Sequence, residues 1–205
     1  MASVVSICNL ALTNIGKDSI SAIDEASAEA RACRRLFGQT LDVLLCAYPW
    51  TFARAASSLA PMANDRYGRW EYAYAKPADC LKIAGIRQEY SAHQDVENYS
   101  EISVLPELLE PYELGGQNVY CNLSPAILLY TRRVTDPTKF TPLFVEALSW
   151  QLSARIAMPL TRDPKTRSDA WQTAQAMKAA AIPADAGQER IFAPTLSPYD
   201  VARDQ

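Results

Sequence analysis

Apolar residues recur along the first fifteen positions at intervals of three and four: Val4, Ile7, Cys8, Ala11, Leu12 and Ile15. This is the period of one helical face, and Gly16 is a natural stop, so a first helix is predicted over roughly 3–15. The polar loop KDSISAID follows. Ser27 is placed to cap a second helix, with Glu29 and Ala30 in its first turn. Its apolar stripe is Ala30, Cys33, Phe37, Leu41, Leu44 and Tyr48, while Arg31, Arg34, Arg35 and Asp42 lie mostly off it. Pro49 disfavours helical backbone at Tyr48 and has no N–H to donate, so this helix is expected to end there.

From about residue 50 to residue 140 the pattern changes to short apolar or aromatic runs with turn residues between them. Trp50 and Phe52 are two apart and share one side if the backbone is extended. In RWEYAYAKPADCLKIAGIR, Trp70, Tyr72 and Tyr74 alternate with Glu71, Ala73 and Ala75, which is the period of a strand. KPAD reads as a turn before the strand CLKIAGIR, and SEISVLP, GGQNVYCNL and AILLYTRRV are further strand candidates. Helical spacing returns with Val145, Leu148, Leu152 and Ile156, behind Thr141 as N-cap and Pro142 at the first helical position. Pro159 is expected to end that helix. A fourth, alanine-rich helix is predicted over Asp169–Ile182, with Ala170, Ala174, Met177 and Ala181 inward and Pro183 closing it.

The expected fold class is therefore α+β. An antiparallel helix bundle formed by 1–48 and 141–183 carries an inserted small β domain, sandwich- or barrel-like, over 49–140. Residues 184–205 form an extended C-terminal tail, with too few apolar residues to bury a core alone.

Composition narrows the classes. At 49% apolar and 21% charged, the chain of 205 residues is globular in type. A net charge of −3 argues against a basic footprint for gripping DNA. Cys8, Cys33, Cys46, Cys80 and Cys121 are odd in number and form no C-x-x-C pair, which points to reduced, mostly buried thiols. The first residues carry no Lys or Arg, and Asn9, Thr13 and Asn14 interrupt any apolar stretch, so no secretory leader is expected. No run approaches the roughly 18 apolar residues a membrane span needs.

Catalytic patterns are sparse. His93 is the only histidine and sits in a polar stretch, so a zinc pair of histidines is excluded and a Ser–His–Asp triad would rest on it alone. No phosphate-binding glycine loop is present. The acidic run LPELLEPYEL brings Glu107, Glu110 and Glu113 together. Its plain reading is a solvated or partner-facing loop, and its chemical reading is a carboxylate pair acting on a glycosidic bond. Arg31, Arg34 and Arg35 read as a solvated face or a contact for an acidic partner, and Arg132 and Arg133 are read the same way. The rows Trp50/Phe52 and Trp70/Tyr72/Tyr74 can stack ligands, but they more readily form the core of a β domain or its joint with the helices at Pro49. No cofactor or metal is expected.

Four segments resemble the head–tail adaptor of short-tailed bacteriophages, the tail tubular protein A family. They are NLALTNIG with ISAIDEASAEARACRRLF (Asn9–Phe37), LDVLLCAYPWTFARAASSLA (Leu41–Ala60), WEYAYAKPADCLKI (Trp70–Ile83), and LSARIAMPLTRDP (Leu152–Pro164) followed by an alanine-rich helix and ADAGQER. The second carries the pattern D-x-L-L-x-x-x-P-W-x-F-A of that family; residues 85–140 depart from it most. The resemblance implies a non-enzymatic virion protein of the neck, assembled in the host cytoplasm. It would form a ring, commonly of twelve copies, beneath the portal protein, continuing the channel through which double-stranded DNA passes. The nozzle protein docks below, and tail fibres often attach nearby. It also implies that the C-terminal segment embraces the portal, with Ile191, Phe192, Leu196 and Tyr199 as anchors. In such a ring, Arg31, Arg34 and Arg35 are candidates to meet Glu107, Glu110 and Glu113 of a neighbour. Two alternatives stand beside it: a glycan-cleaving tail component using Glu107 and Glu110, and a head-completion or stopper protein of another connector type.

Overall fold

The computed structural model describes residues 2–88 and 109–187. Four helices and seven strands are described, and both sheets are antiparallel. Helix α1 (Val4–Thr13) starts in a capping box, in which Ser3 accepts from the Ser6 amide and Ser6 accepts from the Ser3 amide. Gly16 takes a φ of 66° just past its end. The polar Asn9 has a clear use: its side chain donates to the Ile20 carbonyl at 3.0 Å and accepts from the Ile20 amide at 2.8 Å, pinning the following loop to α1. Helix α2 (Ala28–Ala47) is capped by Ser27 and buries Ala30, Cys33, Phe37, Leu41 and Leu44. Tyr48 is extended, at φ −148° and ψ 147°, the backbone favoured before a proline.

Helix α3 (Pro142–Thr161) begins with Thr141 as N-cap, and α4 (Pro164–Ala186) begins with Asp163 accepting from the Lys165 and Thr166 amides. Both prolines expected to stop these helices lie inside them. Pro159 falls in the last turn of α3, which closes at Arg162 in the left-handed region (φ 56°), with the Arg162 amide bonded to the Met158 carbonyl. Helix α4 starts earlier than the apolar spacing suggests and continues past Pro183, so residues 184–186 are helical rather than part of an extended tail. A proline within a helix forfeits one backbone bond. Here Ala181 is buried on one side of Pro183, and the buried Asp185 carboxylate on the other accepts from the Thr51 amide at 2.8 Å and the Thr51 hydroxyl at 2.9 Å. Those contacts hold the last turn in place.

The helices share one apolar cluster, to which α1 contributes Ile7 and Leu12, α2 Leu44 and Leu45, α3 Phe144, Leu148, Leu152 and Ile156, and α4 Ala181. Ser153 of α3 donates to the Ala11 carbonyl of α1 at 2.9 Å, across 142 positions of sequence. Cys8 and Cys33 are both fully buried here; their mutual hydrogen bond, together with burial, pushes the Cys8 thiol well above the ordinary thiol range.

Between the helices, β1 (Arg54–Ser58), β4 (Cys80–Gln88) and β7 (Ala126–Arg132) form one sheet in the order β1-β7-β4. Strands β2 (Pro61–Met62), β3 (Tyr72–Ala75), β5 (Tyr112–Gly115) and β6 (Asn118–Cys121) form the other, in the order β2-β3-β6-β5. A second apolar cluster takes Tyr74, Val119 and Cys121 from one sheet and Ile86, Leu128 and Tyr130 from the other. KPAD does turn the chain, with the Cys80 amide bonded to the Pro77 carbonyl, but it carries the chain from one sheet to the other. Strand β5 falls in the run read as an acidic loop: Tyr112 pairs with Cys121 and Gly115 with Asn118, closing a tight hairpin. The candidate strand SEISVLP lies outside the described residues.

Candidate functional site

Three groups of side chains were singled out by the sequence, and the fold treats them differently. The first is the aromatic run after α2. Trp50 and Phe52 do not start a strand; Trp50 is the N-cap of a single 3-10 turn, Thr51–Ala53, and β1 begins only at Arg54. A turn of this kind brings both rings onto the helical core. Trp50 is fully buried, with ring-centroid distances of 5.4 Å to Tyr48, 4.9 Å to Phe144 and 6.4 Å to Phe52. Phe52 in turn meets Phe140 at 5.6 Å and Phe144 at 4.9 Å. The indole N–H donates to the Leu44 carbonyl at 2.9 Å, one of the carbonyls left open at the end of α2. Arg54 donates to the Pro49 carbonyl at 2.6 Å, Lys82 of β4 to the Cys46 carbonyl at 3.2 Å, and Arg133, just past β7, forks onto Asp42 of α2. This is a joint between the helices and the sheets, with no open face for a ligand on Trp50.

The second group is the row Trp70, Tyr72 and Tyr74, which does not belong to that joint. Tyr74 is in the sheet cluster, with its hydroxyl donating to the Leu123 carbonyl at 2.6 Å, and Tyr72 is exposed on the same strand. Trp70 precedes β3 and donates its indole N–H to Glu113 of β5 at 2.9 Å. Glu113 also pairs with Arg66 and, at 3.2 Å, with Arg69. Arg66 lies 4.5 Å over the Tyr120 ring, whose hydroxyl donates to Asp65 at 2.6 Å. Glu113, a candidate for contact with a neighbouring subunit, is thus engaged inside its own chain, where it ties the β2–β3 loop to β5. Glu110 is exposed, and Glu107 and His93 lie outside the described residues, as do Ile191, Phe192, Leu196 and Tyr199.

The Trp70 hydrogen bond, then the Arg69 and Arg66 charges, hold the Glu113 carboxyl below its ordinary value of 4.5. A depressed folded pKa means that the stabilisation is complete above the unfolded value and is lost as pH falls through the folded one. Thermal melts of the wild type should therefore drop as pH is lowered from 4.5, and Glu113→Gln should melt lower at neutral pH but with a shallower acid dependence. Parallel acid profiles for the two would show that Glu113 is not tied in this way. Asp65, Asp136 and Asp163 are also held low, chiefly by hydrogen bonds from Tyr120, Thr138 and Thr166 respectively, and Glu25 by the Ser21 amide, so the residual acid sensitivity of the variant is assigned to these four.

The third group is the arginine face of α2. Arg31, Arg34 and Arg35 are exposed and edge a depression of about 630 Å³ that reaches Leu36 and Pro159. Leu36 also borders a second hollow, of about 280 Å³, lined by Arg155, Met158, Arg167 and Trp171. The last three continue into a third, of about 380 Å³, beside Pro164 and Ser168. One groove therefore crosses α2, α3 and α4. The sequence pattern marked its α2 edge; the two further arginines and Trp171 come from distant helices and carry no local signal.

Among the described residues, no cluster of three or more His, Cys, Asp or Glu side chains could hold a metal ion, and no helix is long and apolar enough to cross a membrane. No family model matches the chain, and no curated protein matches it.

Proposed function

We propose that this chain is a structural virion protein, a head–tail adaptor of a short-tailed bacteriophage. In this reading its four helices form a bundle, and about twelve copies form a ring that joins the portal to the nozzle and continues the DNA channel. The observation that carries the reading is the role taken by the residues of the D-x-L-L-x-x-x-P-W-x-F-A pattern. Asp42 receives Arg133, Leu44 gives its carbonyl to the Trp50 indole, and Leu45, Trp50 and Ala53 are buried. The pattern shared with the adaptor family is thus the weld between helices and sheets, a feature of architecture. The polar side chains left over form surfaces and internal ties, which suits a protein whose work is to be held between partners. A mildly acidic chain also suits a lumen that phosphate must pass without being held. The C-terminal segment, with Ile191, Phe192, Leu196 and Tyr199, would embrace the portal, gaining order on its partner.

Mixing the purified chain with portal and imaging by negative stain should show a ring on one face of the portal. A chain that stays monomeric beside bare portals overturns the proposal. The C-terminal role is tested by truncation after Gly187, which keeps Asp185 and the whole of α4. Portal binding should fall at least tenfold, a loss of about 1.4 kcal/mol; undiminished binding removes that role from the segment.

A further inference from the structure

We infer that the groove across α2, α3 and α4 is the docking site for the acidic segment 89–110 of a second copy of this chain. The groove has an unusual balance. Arg31, Arg34, Arg35, Arg155 and Arg167 border it, and among the described residues none of the five has a carboxylate partner. The nearest bond to any of their guanidinium groups is that from Arg31 to the Ala26 carbonyl, at 3.5 Å. Between these cations lie large apolar side chains open to water, with Trp171 49% and Met158 42% exposed. Cations unpaired around an apolar floor match an occupant that alternates carboxylates with apolar residues. Arginine forks favour carboxylates, and the exposed indole supplies the apolar anchor point.

The sequence holds one such segment. Residues 89–110 carry Glu89, Asp95, Glu97, Glu101, Glu107 and Glu110 without a single Lys or Arg, interspersed with Val96, Ile102, Val104, Leu105 and Leu108. The rest of the chain has 17 acidic against 20 basic side chains, so the charge asymmetry of the molecule resides in this segment. Both of its ends are fixed to the β half. Gln88 is the last residue of β4, and the Glu110 amide donates to the Ile86 carbonyl of the same strand at 2.9 Å. The groove is on the helical half. An acidic element on one half and a basic groove on the other are the two unlike, complementary faces that head-to-tail association requires. This assignment deepens the adaptor reading by naming a contact between its subunits, and it rests on that reading for the ring alone.

The test is charge exchange in the full chain, read by sedimentation velocity in low salt. The wild type should self-associate at concentrations on the order of 100 µM and dissociate at high salt, because contacts between exposed charges are screened. R34E/R35E and, separately, E107R/E110R should each weaken association at least tenfold without lowering the melting temperature. The chain carrying all four changes should recover it. Failure of recovery, or single reversals that associate like the wild type, overturns the assignment. So does a wild type that stays monomeric while the reversals lower its melting temperature, which makes the contact internal. A short DNA duplex bound by the wild type and released by R34E/R35E, with self-association unchanged, would give the groove to nucleic acid instead. Rings on the portal that survive both reversals sink this contact and spare the adaptor reading; self-association that follows the charges with no ring on the portal does the reverse.

Discussion

Trp50→Ala should cost about 4 kcal/mol of folding stability, the range for deleting a large buried aromatic. The indole is fully enclosed and touches rings from three places in the chain: Tyr48 at the end of α2, Phe52 in the 3-10 turn and Phe144 in α3. Alanine leaves a cavity that Phe52 and Phe144 cannot close without giving up their own contacts with Phe140. It also leaves the Leu44 carbonyl without the indole N–H. Trp50→Phe separates the two effects, since it keeps most of the ring packing and forfeits the hydrogen bond, and about 2 kcal/mol is expected. Urea unfolding followed by circular dichroism gives both values. A Trp50→Ala protein that unfolds at the wild-type midpoint yet fails to bind a partner would mean that this ring belongs to an interface and not to a joint.

Asp185→Ala should destabilise the protein by about 2 kcal/mol, because it removes both side-chain bonds to Thr51 and strands that half-buried amide beside the cavity left by the buried carboxylate. Asp185→Asn keeps one acceptor oxygen and should cost about half as much. The comparison matters because Asp185 closes a circuit: it fastens the last turn of α4 to the turn that follows Trp50, so the end of the last helix and the entry to the first strand are held by one carboxylate. Differential scanning calorimetry on the pair checks this. Equal melting temperatures for Asp185→Ala and wild type would show that the α4 terminus is not fastened there.

The helices were largely legible in the sequence because their signals are local. Ser27 and Thr141 act as caps, Pro142 takes the first helical position, and the stripes Ala30–Leu44 and Leu148–Ile156 are buried as their spacing implies. What was not legible depends on partners far away in sequence. Pro159 and Pro183 carry a strong local stop signal, yet packing of α3 and α4 on the shared core outweighs it. Strand β5 is short and acidic, and only its pairing with β6 and the Arg66, Arg69 and Trp70 contacts to Glu113 give it a reason to be extended. Trp50 and Phe52 share a side as alternation suggested, but through a 3-10 turn facing helices. The candidate groove was half visible: three arginines at helical spacing could be read, whereas their meeting with Arg155, Arg167 and Trp171 is set by how three helices cross.

The bond from Ser153 to the Ala11 carbonyl has a consequence for the order in which the chain can mature. As the polypeptide leaves the ribosome, α1 and α2 emerge first, but the face they pack against is supplied by Phe144, Leu148, Leu152 and Ile156, which follow only after all seven described strands. The sheets, whose cluster is drawn from residues 59–130, can close before then. Contacts of such long sequence separation slow folding, and domains form as they become complete. The nascent chain therefore passes through a stage with a finished β unit and an uncovered pair of helices, a stage at which chaperones have an apolar surface to hold.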